Sequence, residues 1–198
     1  MTIAAIYYTI KYMNKKSFAR DIVYIAIFVV LMVIFTLFVS IPFFPVPLTF
    51  QTVICVMAGL LLGAKRAGLS MFIYVFMGLV LAIPVFSGGK GGPVMVVSPT
   101  FGYIIAFIPT AAAAGAVRGK LPTASLKRYI TAATAAFFVC YAIGIPYFLI
   151  IWRFYMGNTD IWQAALTFNI LYMPKDLILC LAAAFLSKKL APVLFSRE

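Results

Sequence analysis

Histidine is absent from the 198 residues, and acids nearly so: Asp and Glu number 4 against 16 Lys and Arg. Without histidine there is no Ser-His-Asp triad, no Cys-His pair and no imidazole-based zinc set. The 3 cysteines, Cys55, Cys140 and Cys180, lie singly in separate apolar segments. That is the pattern of buried packing thiols rather than of a disulfide or metal framework. Asp21 and Glu198 border apolar segments and Asp160 sits in a connection, so Asp176 has no second carboxylate at its depth. Paired-acid hydrolysis and intramembrane aspartyl proteolysis are thereby disfavoured. Charge of any kind is scarce, at 10% of residues, while 65% are hydrophobic. Such a balance describes an integral membrane protein, and long apolar runs without alternation indicate helices rather than a barrel.

Six spans are predicted, at 18–41, 48–63, 67–83, 98–117, 129–152 and 162–186. The second and third are short for a hydrocarbon core of about 30 Å. The expected fold is an all-α six-transmembrane-helix bundle forming one membrane-embedded domain over 1–198. Segment 1–17 precedes the spans, which occupy 18–190, and 191–198 forms a tail. Lys11, Lys15, Lys16 and Arg20 precede the first span, Lys65 and Arg66 join the second and third, Arg118, Lys120, Lys127 and Arg128 join the fourth and fifth, and Lys188, Lys189 and Arg197 follow the sixth. All fall on one side of a six-span chain. The opposite side carries Lys90 and Arg153, with Lys175 at the sixth span, so the positive-inside rule places both termini in the cytoplasm. The net charge of +12 thus reflects juxtamembrane clusters facing anionic lipid, not a nucleic-acid surface. Residues 1–10 are apolar but too short to span, and are read as an interfacial extension. The following basic-then-apolar run lacks a small-residue exit site, so it is read as a retained span and not a signal peptide.

Two connections stand out. Three prolines and two phenylalanines in 41–49 predict a stiff apolar segment, either a lid over a site or a rigid turn in the headgroup zone. The run Ser87-Gly88-Gly89-Lys90-Gly91-Gly92-Pro93 lacks the phosphate-loop spacing. It is read as a flexible loop that folds over a ligand or merely connects.

The most informative charge is Asp176, beside Lys175 at the head of the apolar stretch 177–186. An ionisable group inside a membrane costs about 2.5 to 3.5 kcal/mol on insertion scales and marks a cavity, partner or ligand. Small residues gather at 111–115, 132–136 and 182–184, toward the cytoplasmic ends, where they permit close helix approach. The other halves of the same spans carry Phe101, Tyr103, Phe107, Tyr141, Tyr147, Phe148, Trp152, Trp162, Phe168, Asn169 and Tyr172. A bundle closed toward the cytoplasm, with an aromatic cup open outward, is the expectation. Helical spacing places Asn169, Tyr172 or Met173, Asp176 and Cys180 on one face, with Lys175 about 100° away. Thr100, Tyr103 and Phe107 form a similar stripe, with Gly102 permitting close approach. The plainer reading makes these stripes packing, and makes Asp176 the partner of Arg153 or Lys175 in a pair that only orients helices.

The runs Phe44-Pro45-Val46-Pro47-Leu48-Thr49-Phe50-Gln51-Thr52, Ala58-Gly59-Leu60-Leu61-Leu62-Gly63, Ile83-Pro84-Val85-Phe86, Ser98-Pro99-Thr100-Phe101-Gly102-Tyr103 and Pro174-Lys175-Asp176-Leu177 occur in this order. The chain resembles, from first span to last, the BioY family of biotin-binding S components of energy-coupling factor (ECF) transporters. Three positions depart from the family pattern: Phe101 and Lys175 stand where glycine is usual, and Leu179 where lysine is usual. The resemblance implies a non-enzymatic subunit of the cell membrane without a cofactor of its own, binding biotin. Its implied partners are a transmembrane coupling subunit and two ATPases that hydrolyse ATP. Asp176 and Asn169 suit the ureido group, Tyr103 and Gln51 add to the site, and Lys90, Arg153 or Lys175 would hold the carboxylate. Lys175 would supply the charge that Leu179 lacks. A stand-alone secondary transporter is the alternative, although neither a coupling-ion site nor an internal repeat is evident.

Overall fold

A computed structural model describes residues 3–39, 49–119 and 124–195, with side chains described from Phe18 to Leu194 within these ranges. Seven α-helices account for most of it: α1 (Ile3–Leu37), α2 (Gln51–Leu62), α3 (Ala64–Leu79), α4 (Phe101–Arg118), α5 (Leu126–Ile150), α6 (Ile161–Phe168) and α7 (Met173–Phe195). No β-strand occurs among the described residues. Four segments are long and apolar enough to cross a membrane: Phe18–Leu37, Phe101–Arg118, Leu126–Tyr155 and Ile161–Leu194. The protein is an all-α membrane protein. Helix α2, with 12 residues, and α3, with 16, are shorter than a membrane core requires when straight, as their sequence length indicates.

Helix α4 is central, packing along α5, α3 and α2, while α7 lies against α5 and α2 and α1 against α3 and α2. Glycine sets the closest approach. A Cβ on Gly59 of α2 would stand 2.4 Å from the Ala111 carbonyl oxygen, and one on Gly115 of α4 would stand 2.2 Å from the Ala64 nitrogen. Ala111, Ala114, Ala132, Ala133, Ala136, Ala183 and Ala184 are all buried, so the predicted small-residue clusters pack as expected.

Several predicted edges move. The basic pair Lys65 and Arg66 does not occupy a loop: Gly63 alone, at φ 83, joins α2 to α3 and the pair enters the first turn of α3. Arg66 Nε meets Asp21 Oδ2 of α1 at 3.0 Å. Arg118 is buried and donates to the Leu60 carbonyl at 2.7 Å, closing the end of α2, while Arg128 Nε donates to Val117 of α4 at 3.2 Å. Arg118 and Arg128 therefore cap helix C-termini, whereas Arg66 ties α3 to α1. The proline-rich segment expected as lid or turn falls mainly at 40–48, outside the described residues.

The glycine loop is not an open flexible connection. Phe86 and Lys90 exchange backbone hydrogen bonds of 2.9 and 3.2 Å around Gly88 and Gly89, both at positive φ. Phe86 is fully buried over Gly78, whose added Cβ would meet the ring at 2.2 Å. Gly92 N–H also donates to the Gly78 carbonyl at 2.7 Å. The loop is thus pinned to α3 by a buried ring and by its main chain. Tyr147 of α5 donates to the Val96 carbonyl, fastening the next turn to the bundle.

The sixth predicted span is broken. Helix α6 stops at Phe168, Asn169 adopts φ −127 and ψ −63, a 3-10 turn covers Ile170–Tyr172, and α7 starts at Met173. Asn169 Nδ2 donates to the Ala164 carbonyl at 3.1 Å, so its side chain satisfies a helix-end acceptor that the interrupted main chain leaves open. Pro174 then sits in the first turn of α7, where a missing N–H carries little penalty.

Candidate substrate-binding site

Where the break between α6 and α7 meets α4 and α5, two tyrosines face two acceptors. Tyr103 of α4 donates its hydroxyl proton to Asn169 Oδ1 at 2.6 Å. Tyr141 of α5 donates to Asp176 Oδ2 at 2.6 Å. The two rings stand edge to face with centroids 5.5 Å apart. Glycines admit Tyr103 and the neighbouring Tyr147: a Cβ at Gly144 would lie 2.2 Å from the Tyr103 ring, and one at Gly102 would lie 2.3 Å from Tyr147 Cβ. The space expected at Gly102 is therefore taken by a tyrosine side chain. Phe137 stacks obliquely on Tyr141 at 4.8 Å, and Phe148, Trp152 and Phe168 form an adjoining aromatic cluster before Asn169.

The pattern has a chemical direction. Both hydroxyl protons are engaged, leaving oxygen lone pairs on Tyr103, Tyr141, Asn169 and Asp176 as most of the group's unused capacity, with the second N–H of the Asn169 amide beside them. A cluster with this balance suits a ligand that donates N–H or O–H bonds. Asn169 is 1% exposed, so its first task is to hold Tyr103 and close α6.

Lys175 and Asp176 differ from the simple helical-wheel expectation. Adjacent residues diverge at Cβ, yet the flexible lysine stem brings Nζ to 2.7 Å from Asp176 Oδ1. The predicted pair with Lys175 is present. Arg153 is not Asp176's partner; it is exposed in the π-helical turn Ile151–Tyr155 and donates to the Asn158 carbonyl at 3.5 Å. The single-face reading of Asn169 with Asp176 fails because the helix is interrupted between them, although the fold brings both to the same pair of tyrosines.

The remaining predicted residues make their hydrogen bonds elsewhere or are exposed. Gln51 is buried and donates to Tyr74 Oη at 2.8 Å, and Tyr74 donates to the Val85 carbonyl at 3.2 Å, with Thr36 Oγ1 also 3.2 Å from that hydroxyl. This network ties α1, α2, α3 and the following loop together. Lys90 is exposed at the loop hairpin. Trp152 is buried and donates to Asp160 Oδ1 at 3.1 Å, whereas Trp162 is 84% exposed and does not join the cluster. Tyr141 is the residue that sequence reasoning undervalues, as mere aromatic bulk. The signal for it is the demand of an intramembrane aspartate for a donor at its own depth.

Comparison with known proteins agrees with this architecture. The family model described as "BioY family" matches residues 10–195. The biotin transporter BioY of Thermotoga maritima is 31% identical over 171 residues, covering 86% of this chain and 95% of the relative. That of Rhizobium etli is 30% identical over 178 residues, covering 85% and 91%. The solved structure of an S-component for biotin from an ECF-type ABC transporter superposes with a TM-score of 0.67 at 24% identity, over 89% of this chain and 92% of that one, and so shares its fold. On the family match and the near full-length relatives, the chain belongs to the BioY family.

Proposed function

We propose that this protein is the biotin-capturing S component of an ECF-type vitamin importer, binding its substrate without chemical change. The observation that carries the reading is the acceptor-rich group of Tyr103, Tyr141, Asn169 and Asp176 among aromatic rings. Biotin has a ureido head with two N–H donors, an apolar fused ring and tail, and a carboxylate. On this reading the ureido N–H groups bond Asp176 and Asn169, Tyr103 borders the ring, and Gln51 supports the site through the α1–α3 network. Lys90 and Arg153, the exposed cations of the loop and the π-turn, are candidates for the ligand carboxylate.

The chain forms one domain of six membrane-crossing segments, with α6 and α7 acting as one interrupted span and both termini cytoplasmic. The prokaryotic cell membrane is its location. Its partners are a transmembrane coupling subunit and two ATPases, which supply the energy; the chain holds no cofactor and binds no nucleic acid. The Arg66–Asp21 pair and the Arg118 and Arg128 caps support a basic side consistent with this orientation. The test is a fluorescence titration with biotin in a Trp162→Phe background, which leaves Trp152 as the reporter. Saturable quenching or enhancement without ATP or other subunits is expected. Folded protein that shows neither, with equilibrium dialysis also negative, rejects biotin as the ligand.

A further inference from the structure

We infer that Lys175 is a positioning residue that acts through Asp176, and is not the group that anchors a ligand carboxylate. The inference rests on the biotin reading of the site and assigns the cation within it a different task. Its ammonium is held twice: 2.7 Å from Asp176 Oδ1, and 5.9 Å from the centroid of the Tyr172 ring. The second carboxylate oxygen takes the Tyr141 hydroxyl at 2.6 Å. Asp176 is therefore fixed through both oxygens, by α5 and by its own neighbour.

Helix physics does not account for a lysine here. A cation in the first turn of α7 opposes the positive end of the helix dipole, whereas Asp176 in that turn suits it. Consecutive helical residues do not face one another, so the contact requires the lysine stem to curl back toward the carboxylate. The lysine side chain is 31% exposed and that of the aspartate 14% exposed, which puts the charge of Asp176 inward of its counter-ion.

The remaining bonding capacity follows from the geometry. A carboxylate offers about four lone-pair directions, of which Tyr141 and Lys175 take two. Those left suit N–H donors of a neutral head group. A ligand carboxylate that drew Lys175 away would remove the aspartate's counter-ion while adding a second negative charge nearby. Electrostatics therefore assigns Lys175 to the head-group end, through Asp176, and leaves the ligand carboxylate to another donor.

The experiment measures binding of biotin and of biotinamide, which lacks the negative charge, to wild type, Lys175→Gln, Lys175→Arg, Asp176→Asn and the double variant Lys175→Gln/Asp176→Asn. Lys175→Gln is expected to weaken both compounds equally, by about tenfold. Lys175→Arg should recover most of the loss, and Lys175→Gln should add little in the Asp176→Asn background. A loss confined to biotin, or equal losses in both backgrounds, overturns the inference. Melting the same proteins without ligand gives an independent reading of the pair. The double variant should lower Tm by less than the sum of the singles, and simple additivity again overturns the proposal. Folded wild type that binds neither compound refutes the biotin reading instead, and the melts then decide the pair alone.

Discussion

Glycine works at two ends of the bundle in opposite ways. At Gly59 and Gly115 the missing side chain lets one helix backbone approach another, with Ala111 and Ala64 as the nearest neighbours. At Gly102 and Gly144 it makes room for Tyr147 and Tyr103, so α4 and α5 pack closely while their contact carries rings with hydroxyls. The first arrangement leaves no room even for a Cβ at Gly59 or Gly115; the second places polar atoms between helices. One end sets backbone against backbone and the other sets tyrosine side chains against glycine, using the same residue type.

Enlarging one glycine of each kind should separate the two roles. Gly115→Val should be the most damaging change, because its Cβ meets fixed backbone at Ala64 and no rotamer relieves it. A loss of about 3 kcal/mol or more, seen as a large fall in Tm, is expected. Gly144→Ala instead meets the Tyr103 ring, and its effect should appear in ligand affinity more than in Tm. Equal effects of the two on Tm would erase the distinction between the ends.

At the tyrosine-bearing end, Asp176→Ala removes the acceptor of Tyr141 and the counter-ion of Lys175 together. Biotin affinity should fall by about 2 kcal/mol or more, roughly 30-fold, with unaltered secondary structure by circular dichroism. Tyr141→Phe keeps the ring and deletes one bond to Asp176, so a smaller loss of about 1 kcal/mol is expected in the same titration. Smallest should be Lys90→Ala and Arg153→Ala, exposed positions for which about 0.5 kcal/mol or less is expected, confined to biotin and absent for biotinamide. A loss for both compounds would show that these residues act on the fold and not on the carboxylate.

Much of this division is legible in the amino-acid sequence. Alanine and glycine cluster in one half of the spans and aromatics in the other, and Asp176 is conspicuous because charge in such segments is rare. Tyr103 and Asn169 follow from their depth. The interruption at Asn169 is harder to read, since a helical wheel assumes an unbroken main chain and the Asn side chain replaces main-chain bonding at that point. Pro174 is the available cue, as a residue that starts helices more readily than it continues them. Gln51 misleads for another reason: a buried amide in a span can serve a ligand or a neighbouring tyrosine, and only tertiary packing reveals Tyr74 as its partner. The direction in which Trp162 points is likewise undetermined by spacing, because α6 is a separate short helix with its own orientation.

Calorimetric titration of wild type and Asp176→Ala side by side asks whether the tyrosine–carboxamide–carboxylate group binds biotin. Wild type should bind biotin one-to-one without ATP or partner subunits, and the variant should bind it more weakly by roughly 30-fold or more. Equal affinity in the two folded proteins would remove Asp176 and its tyrosine partner from the site.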